Sequence, residues 1–307
     1  MTHILVDKSE STYLNGSAVV PVMTQLSDVA RSTYRRHGAR AVLRKSVRFA
    51  VLRGRRWAYN RAGGYPLSVD GYAARFPLSS VWELVALEYI NEEERAVIQH
   101  LLDELEAGDV YWDVGAHIGV HACLCGQKAA SVVAVEPYPP NAERLRNNLT
   151  NNGVDHTVVD AALSNENGER SMAVPQQPTP GNQWVALTPD ANRTADVMTV
   201  AARTGDSVRE TDDLPPPNVV KVDVEGAAHE VLSGLAGTLR REDCHTVVVE
   251  VHLETEAENS RPAVSDFGHD PSDVQSLLES YGFDVETLLR RESDYFLTGH
   301  KPRPPDE

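Results

Sequence analysis

Lysine is nearly missing from this chain: of 29 basic residues only Lys8, Lys45, Lys128, Lys221 and Lys301 are lysine, and the rest are arginine. Cysteine is rarer, and the three present (Cys123, Cys125, Cys244) are odd in number and lie in apolar runs. That excludes a disulfide framework and predicts buried, reduced thiols. No apolar run approaches the roughly 18 residues of a membrane-spanning helix. Met1–Glu10 has no charged segment leading into an apolar one, so no secretory signal is expected and the chain reads as cytoplasmic. Also lacking is the Gly-x-Gly-x-x-Gly turn of nicotinamide-binding folds.

What is present is a soluble globular composition: 307 residues, 41% hydrophobic and 24% charged, with a net charge of −16. An acidic, lysine-poor surface suits high salt, where screening relieves self-repulsion, and points to a halophile. The charge is segregated. Residues 1–65 hold 12 Lys/Arg against 3 Asp/Glu, and residues 66–307 hold 17 against 42, giving +9 and −25. The boundary is therefore placed there, with a basic helical extension before it. Arg36, Arg40, Arg44 and Arg48 recur every four residues and predict one basic helix stripe, with Leu43, Val47, Ala50 and Val51 on another face. Three roles for 31–61 stay open: peripheral association with an anionic membrane face, binding of a phosphate-rich ligand, or docking on the chain's own acidic body. The acidic remainder argues against nucleic acid.

Beyond residue 90 the pattern alternates. Helices are expected over Glu92–Glu106, Ile118–Gln127, Pro139–Asn151, Ala227–Leu235 and Pro271–Tyr281. Strands are expected over Val110–Val114, Ser131–Val135, Thr157–Leu163, Glu169–Val174, Val219–Asp223, Thr246–Val251, Phe283–Leu289 and Asp294–Thr298. Pro175–Pro189 reads as a loop. Buried strands alternating with helices mean a doubly wound α/β sheet.

In such sheets the ligand sits outside the carboxyl ends of the strands, where strand order reverses. The first turn reads Asp113-Val-Gly115-Ala-His117-Ile-Gly119, with glycines that let backbone approach a ligand or helix closely. The second strand ends in Glu136, 23 residues after Asp113, where a carboxylate can accept from both ribose hydroxyls. Asp113 is placed to bind a cationic group. An acid at that point suits the ammonium of S-adenosylmethionine and disfavours a pyrophosphate. Three readings remain: a methyltransferase, a nicotinamide-dependent oxidoreductase and a non-catalytic scaffold. The last is disfavoured by the intact Asp113, Gly115, Gly119 and Glu136.

Asp223, Glu225, Glu250 and His252 gather at the ends of the fourth and fifth strands and are candidate general bases for an acceptor hydroxyl. His252 alone has an ordinary pKa near neutrality. The same groups are also a possible divalent-ion set, though no metal is assigned. His100, His121, His156, His229, His245 and His269 have no ligand spacing, and Lys221 is expected to pair with a carboxylate.

The segments VYWDVGAHIG (Val110–Gly119), VVAVEP (Val132–Pro137), KVDVEG (Lys221–Gly226), Glu230–Gly234 and Val249–His252, with the closing segment Leu277–Pro302, resemble the FkbM-type family of S-adenosylmethionine-dependent methyltransferases. The resemblance covers about residues 90–302. It implies a Rossmann-like class I methyltransferase: a mostly parallel seven-stranded sheet with a C-terminal antiparallel hairpin. It implies S-adenosylmethionine as cofactor and a hydroxyl of a glycan, lipid-linked sugar or related small molecule as acceptor. Carried over by position, Asp113, Gly115, His117 and Gly119 hold the methionine part, Glu136 the ribose, and Asp160 and Ala161 flank the adenine. Asp223, Glu225 and His252 are the catalytic candidates. Two positions depart from the family: His117 replaces an asparagine and Ala228 a glutamate.

Overall fold

The structure, a computed structural model, describes residues 43–44, 46–174, 186–187, 196–255 and 261–302. Arg36 and Arg40 of the predicted basic stripe lie outside them, as does most of the predicted 175–189 loop.

Helix α1 (residues 46–61) lies against the body through Leu52 and Tyr59. Asn60 reinforces the contact by exchanging two 2.8 Å hydrogen bonds with the backbone of Leu78. A hairpin follows, β1 (Tyr65–Val69) and β2 (Tyr72–Phe76), whose alternating burial turns Tyr65, Leu67 and Val69 inward. The boundary drawn between residues 65 and 66 thus falls one residue into a strand. Helix α2 (Val81–Glu93) begins at Ser80, whose hydroxyl accepts from Glu83 N. It ends at Glu94, where the backbone leaves helical geometry (φ −114°, ψ 4°), and α3 (Arg95–Glu104) restarts at once. The helix predicted over Glu92–Glu106 is α3, with Glu92 and Glu93 closing α2, a helix that was not predicted. The apolar positions of the predicted helix, from Val97 on, all follow the break, so their spacing did not show it.

Next comes the α/β core: β3 (Val110–Val114), α4 (Val120–Cys125), β4 (Ser131–Val135), α5 (Pro139–Asn151) and β5 (His156–Val159). Proline in the first turn of α5 and Gly153 just past it (φ +69°) mark that helix's ends. The strand predicted over Thr157–Leu163 breaks at Asp160. Its second part, β6 (Ala162–Leu163), belongs to a separate sheet with β7 (Gly168–Val174), β8 (Ala186–Leu187) and β9 (Asp196–Arg203). β8 lies within the span predicted as loop, and β9 went unpredicted because its apolar runs, Val197-Met198 and Val200-Ala201-Ala202, are short and follow neither period.

The chain then returns through α6 (Gly205–Thr211), β10 (Val219–Val222), α7 (Ala228–Gly234), α8 (Ala236–Leu239), β11 (Thr246–His252), α9 (Pro271–Ser280), β12 (Asp284–Arg290) and β13 (Asp294–His300). The main sheet runs β12-β13-β11-β10-β3-β4-β5, parallel except for β13, which lies antiparallel to both β11 and β12. This is the expected seven-stranded sheet with its closing hairpin. The order reverses at β3, flanked by β4 and β10, so their carboxyl ends open a crevice. Every residue of β11 is buried, and the three cysteines are free and buried, with burial raising their thiol pKa values.

Candidate active site

A cavity of about 510 Å³ opens at the carboxyl ends of β3, β4, β10 and β11 and is closed on one side by α2. Its floor is the turn after β3. Gly115 (φ +82°) lies so close to β10 that a Cβ would sit 1.8 Å from the Asp223 carbonyl oxygen. At Gly119 (φ +85°) a Cβ would meet Leu145 at 2.6 Å, and this residue does not line the cavity. These glycines let strand, turn and α5 pack together, so their close approach is to protein rather than to ligand. Gly115, Ala116 and His117 form the turn's cavity-lining edge. His117 is held at φ +53°, and its buried Nε2 has no hydrogen-bond partner.

Glu136 lines the cavity at the end of β4. Its Oε2 accepts from His117 N at 3.0 Å and its Oε1 from Tyr138 N at 2.9 Å. Burial pushes its carboxyl up to about 8, against the opposing hydrogen bonds from Tyr138, His117 and Asn141. Each oxygen keeps a lone pair for a ligand hydroxyl. Ala161 lines the same wall, but Asp160 turns away: its side chain is 58% exposed and pairs with Arg146 at 2.6 Å.

Asp113 lies behind the cavity rather than on it. It is buried, with Oδ1 3.5 Å from Lys221 Nζ. Lys221, itself 1% exposed, also pairs with Asp223 at 3.2 Å, as expected of a lysine at a sheet end. Asp113 thus faces Lys221 rather than the cavity, and Lys221 links it to Asp223 on the cavity wall.

Asp223, Glu225, Glu250 and His252 do come together. Burial alone raises the Asp223 carboxyl, but Lys221, a hydrogen bond with Glu250 and His252 carry it well below the usual range. Glu250 is driven well above its ordinary value by burial and by the charge of Asp223. Within the pair, Asp223 is thus the stronger acid and Glu250 the weaker. Arg291 Nη2 lies 2.5 Å from Glu250, and Arg261 Nη1 lies 3.2 Å from Glu225. Glu225 adopts φ +48°, and a Cβ on Gly226 would meet the Pro262 carbonyl at 2.7 Å. The Glu-Gly turn is thus folded onto the segment carrying Arg261. His252 sits behind these carboxylates, 3.2 Å from Glu225 and 3.8 Å from Glu250, and does not line the cavity.

Asp223, Glu250 and His252 place one ligand atom each within 4.8 Å of one another. Lys221 and Arg291 already supply cationic charge to the two acids. His100, Glu104 and His300 form a second such group at the opposite end of the sheet, where β13 finishes beside the start of β11. Only the tertiary fold joins these residues.

Four cavity-side residues had no motif to reveal them: Glu94 at the α2–α3 break, His121 on α4, Arg261, and Arg291 beside Glu250. Glu94 lies 3.6 Å from His121 Nε2 and 3.7 Å from Arg291. Burial pushes its carboxyl up to about 7.

A parallel sheet reversing at β3, with a cavity outside its carboxyl ends and an acid closing the second strand, is the layout of a class I methyltransferase. The chain belongs to the FkbM methyltransferase family: the model of the methyltransferase FkbM domain matches residues 113–285. It is 36% identical over 254 residues to the hexuronic acid methyltransferase AglP of Haloferax volcanii, covering 80% of this chain and 95% of that one. Two solved structures are similar at lower identity. The FkbM methyltransferase of Methylobacillus flagellatus KT matches with TM-score 0.44 and 14% identity, covering 73% of this chain and 56% of that one. The precorrin-6y C5,15-methyltransferase of Geobacter metallireducens GS-15 matches with TM-score 0.42 and 15% identity, over 68% and 88%. The nicotinamide-dependent and non-catalytic readings fall with this assignment; the chain is a methyltransferase.

Proposed function

We propose that the chain transfers the methyl group of S-adenosylmethionine to an oxygen of an acidic glycan, a hydroxyl of a hexuronic acid or of a lipid-linked sugar. The observation that carries the cofactor is Glu136, buried in the cavity with each oxygen steadied by one backbone N–H and open to a ribose hydroxyl. Ala161 lies on the adenine side, and His117 turns an unpartnered nitrogen into the cavity. The carboxylates around Asp223 favour the cationic sulfonium and ammonium of this cofactor.

The acceptor belongs on the side walled by α2 and Arg261. There Arg261 is a cation on the cavity surface and suits an acidic sugar. Positioning the oxygen in line with the methyl group supplies the larger share of the rate, about 7–11 kcal/mol where geometry is good. Of the catalytic candidates, Asp223 and Glu225 face the cavity and orient the acceptor, while His252 supports Glu225 from behind.

The test is methyl transfer from labelled S-adenosylmethionine to hexuronic-acid glycans by the purified chain. Label stable to mild alkali marks a hydroxyl acceptor; alkali-labile label marks a carboxylate oxygen and replaces that part of the reading. Absence of transfer, with S-adenosylhomocysteine bound, rejects the acceptor class.

We further propose that the enzyme works in a salt-rich cytoplasm, peripherally at a membrane face. The supporting feature is α1: Val47 and Val51 are each 54% exposed and Trp57 64%, with Arg44, Arg48 and Arg53 exposed around them. Docking supports the other face, since Arg55 pairs with Glu88 and Arg56 donates to Ser79 O at 2.8 Å. The two roles divide the helix. Co-sedimentation with anionic vesicles should be lost in a Val47→Glu, Val51→Glu variant; retention in that variant rejects the membrane role.

A further inference from the structure

A hydroxyl acceptor must lose its proton as it is methylated, and the carboxylates around the cavity are not equally free to take it. Asp223 is bridged to Lys221 at 3.2 Å, Glu225 to Arg261 at 3.2 Å and Glu250 to Arg291 at 2.5 Å. Glu136 holds two backbone N–H groups on the cofactor side. Glu94 differs. Among the described residues no donor comes within hydrogen-bonding distance of its side chain; the nearest cation, Arg291, is 3.7 Å away.

Glu94 also occupies the right wall. It follows α2, whose Trp82, Ala86 and Tyr89 face the cavity opposite the Gly115–Glu136–Ala161 cofactor side. The helix break there is what turns its side chain inward, with 13% exposure remaining. Behind it stands His121 on α4, 6% exposed, with Nε2 unpartnered and 3.6 Å from the Glu94 carboxylate.

We propose that Glu94 is the general base that accepts the acceptor hydroxyl's proton, with His121 as its positioning residue; this rests on the hydroxyl reading above. The acceptor oxygen bonds to the methyl carbon, the carbon–sulfur bond breaks with its electron pair left on sulfur, and the hydroxyl proton passes to Glu94. The groups facing Glu94 set its ionisation. Burial and Asp223 raise it, while Lys221 from β10, Arg291 from the β12–β13 turn and Arg261 lower it, leaving it at about 7. His121 stays neutral beside it because burial holds its imidazole well below the usual value. A base poised near neutrality is half ready at the working pH and still strong enough to take the proton.

The test is kcat/KM against pH for the wild type, Glu94→Gln and Glu94→Ala on a glycan acceptor, with S-adenosylhomocysteine affinity measured in parallel. The wild type should gain activity through a limb near pH 7. Glu94→Gln should bind S-adenosylhomocysteine within about twofold of wild type, lose roughly 10²–10⁴-fold in kcat and lose the limb. Formate should restore part of the activity of Glu94→Ala. A wild-type profile flat from pH 5.5 to 8.5 overturns the proposal without any variant. So does a Glu94→Gln enzyme that keeps wild-type turnover and its limb. A wild type that methylates no hydroxyl-bearing glycan rejects the hydroxyl reading itself, and the role of Glu94 with it.

Discussion

At the scale of single residues, the site is a set of buried acids whose partners differ, and the differences give measurable consequences. Above about pH 8, where Glu136 is ionised, Glu136→Gln removes a charged acceptor from the ribose side. Hydrogen bonds to charged groups contribute about 1.5–3 kcal/mol, so S-adenosylmethionine affinity should fall roughly 10- to 100-fold by calorimetry in that range and less near neutrality. The same substitution has a pH signature. The folded-state pKa of Glu136, about 8, lies above that of an unfolded glutamate. Such a group contributes stability that is fully present below the unfolded pKa and is lost as pH rises through 8. Glutamine stays neutral throughout. The ligand-free variant should therefore gain Tm relative to wild type on going from pH 5 to pH 8.5, and an unchanged difference would show that Glu136 ionises freely. Gly115→Ala tests the turn. Left-handed backbone costs about 1–2 kcal/mol for an L-residue, and the clash of its Cβ with the Asp223 carbonyl oxygen, 1.8 Å away, adds to it. Urea unfolding should show a loss larger than that strain alone, together with loss of cofactor binding.

At the scale of elements, α2 is the wall that separates this site from an open Rossmann crevice, and one ion pair fastens it. Glu83, fully buried, accepts from Arg144 Nε of α5 at 3.0 Å and from Ser79 N at 2.5 Å. Arg144 also donates to the Pro77 carbonyl at 2.5 Å. Removing one member of a buried pair leaves the other charge uncompensated, at about 3–5 kcal/mol. Arg144→Ala should fall near the lower end, because the arginine is 18% exposed. Its lesion should loosen α2 first. The expected kinetic pattern is a raised acceptor KM with S-adenosylhomocysteine affinity little changed. Arg144→Lys should not restore stability, since one ammonium cannot serve both Glu83 and Pro77 O in the guanidinium's geometry.

At the scale of the whole molecule, residues 66–307 carry a net −25, and self-repulsion of that size is relieved by salt. Tm should rise between 0.1 M and 2 M KCl, where the Debye length falls from about 10 Å to below 3 Å. A Tm that falls over that range would show that attractive ion pairs outweigh the repulsion. The basic segment divides at α1. Deleting residues 1–42 should leave the melt cooperative. Deleting residues 1–65 should lower Tm, because Leu52 and Tyr59 leave the core and Tyr65, 7% exposed, is cut from β1. If both truncations melt as the full chain does, α1 is an appendage and the boundary at residue 65 stands.

The sequence by itself determined the main sheet, because strands buried on both faces, such as Val219–Val222 and Thr246–Val251, must be mostly apolar, and the charged residues they do carry, Lys221 and Glu250, lie toward the carboxyl ends where the site is. Glu136 was legible for the same local reason: it is the first charged residue after a fully apolar strand. The Lys-x-Asp-x-Glu-Gly block was legible as a motif. Its physics was not, because Lys221 meets Asp113 across two strands and Glu225 meets Arg261 across 36 residues of chain. Residues such as Glu94, His121, Arg261 and Arg291 carry no local pattern, and the contacts they make with one another and with Glu225 and Glu250 form only where separate elements meet. Of the second sheet, β7 was legible as Glu169–Val174 and β6 as the end of Thr157–Leu163, whereas the mixed strands β8 and β9 escaped, becoming strands through pairing rather than through propensity. Burial then decided what the tertiary structure alone can decide. In the same small volume Lys221 lowers the Asp223 carboxyl, burial and the charge of Asp223 raise that of Glu250, and burial brings that of Glu94 up to about 7.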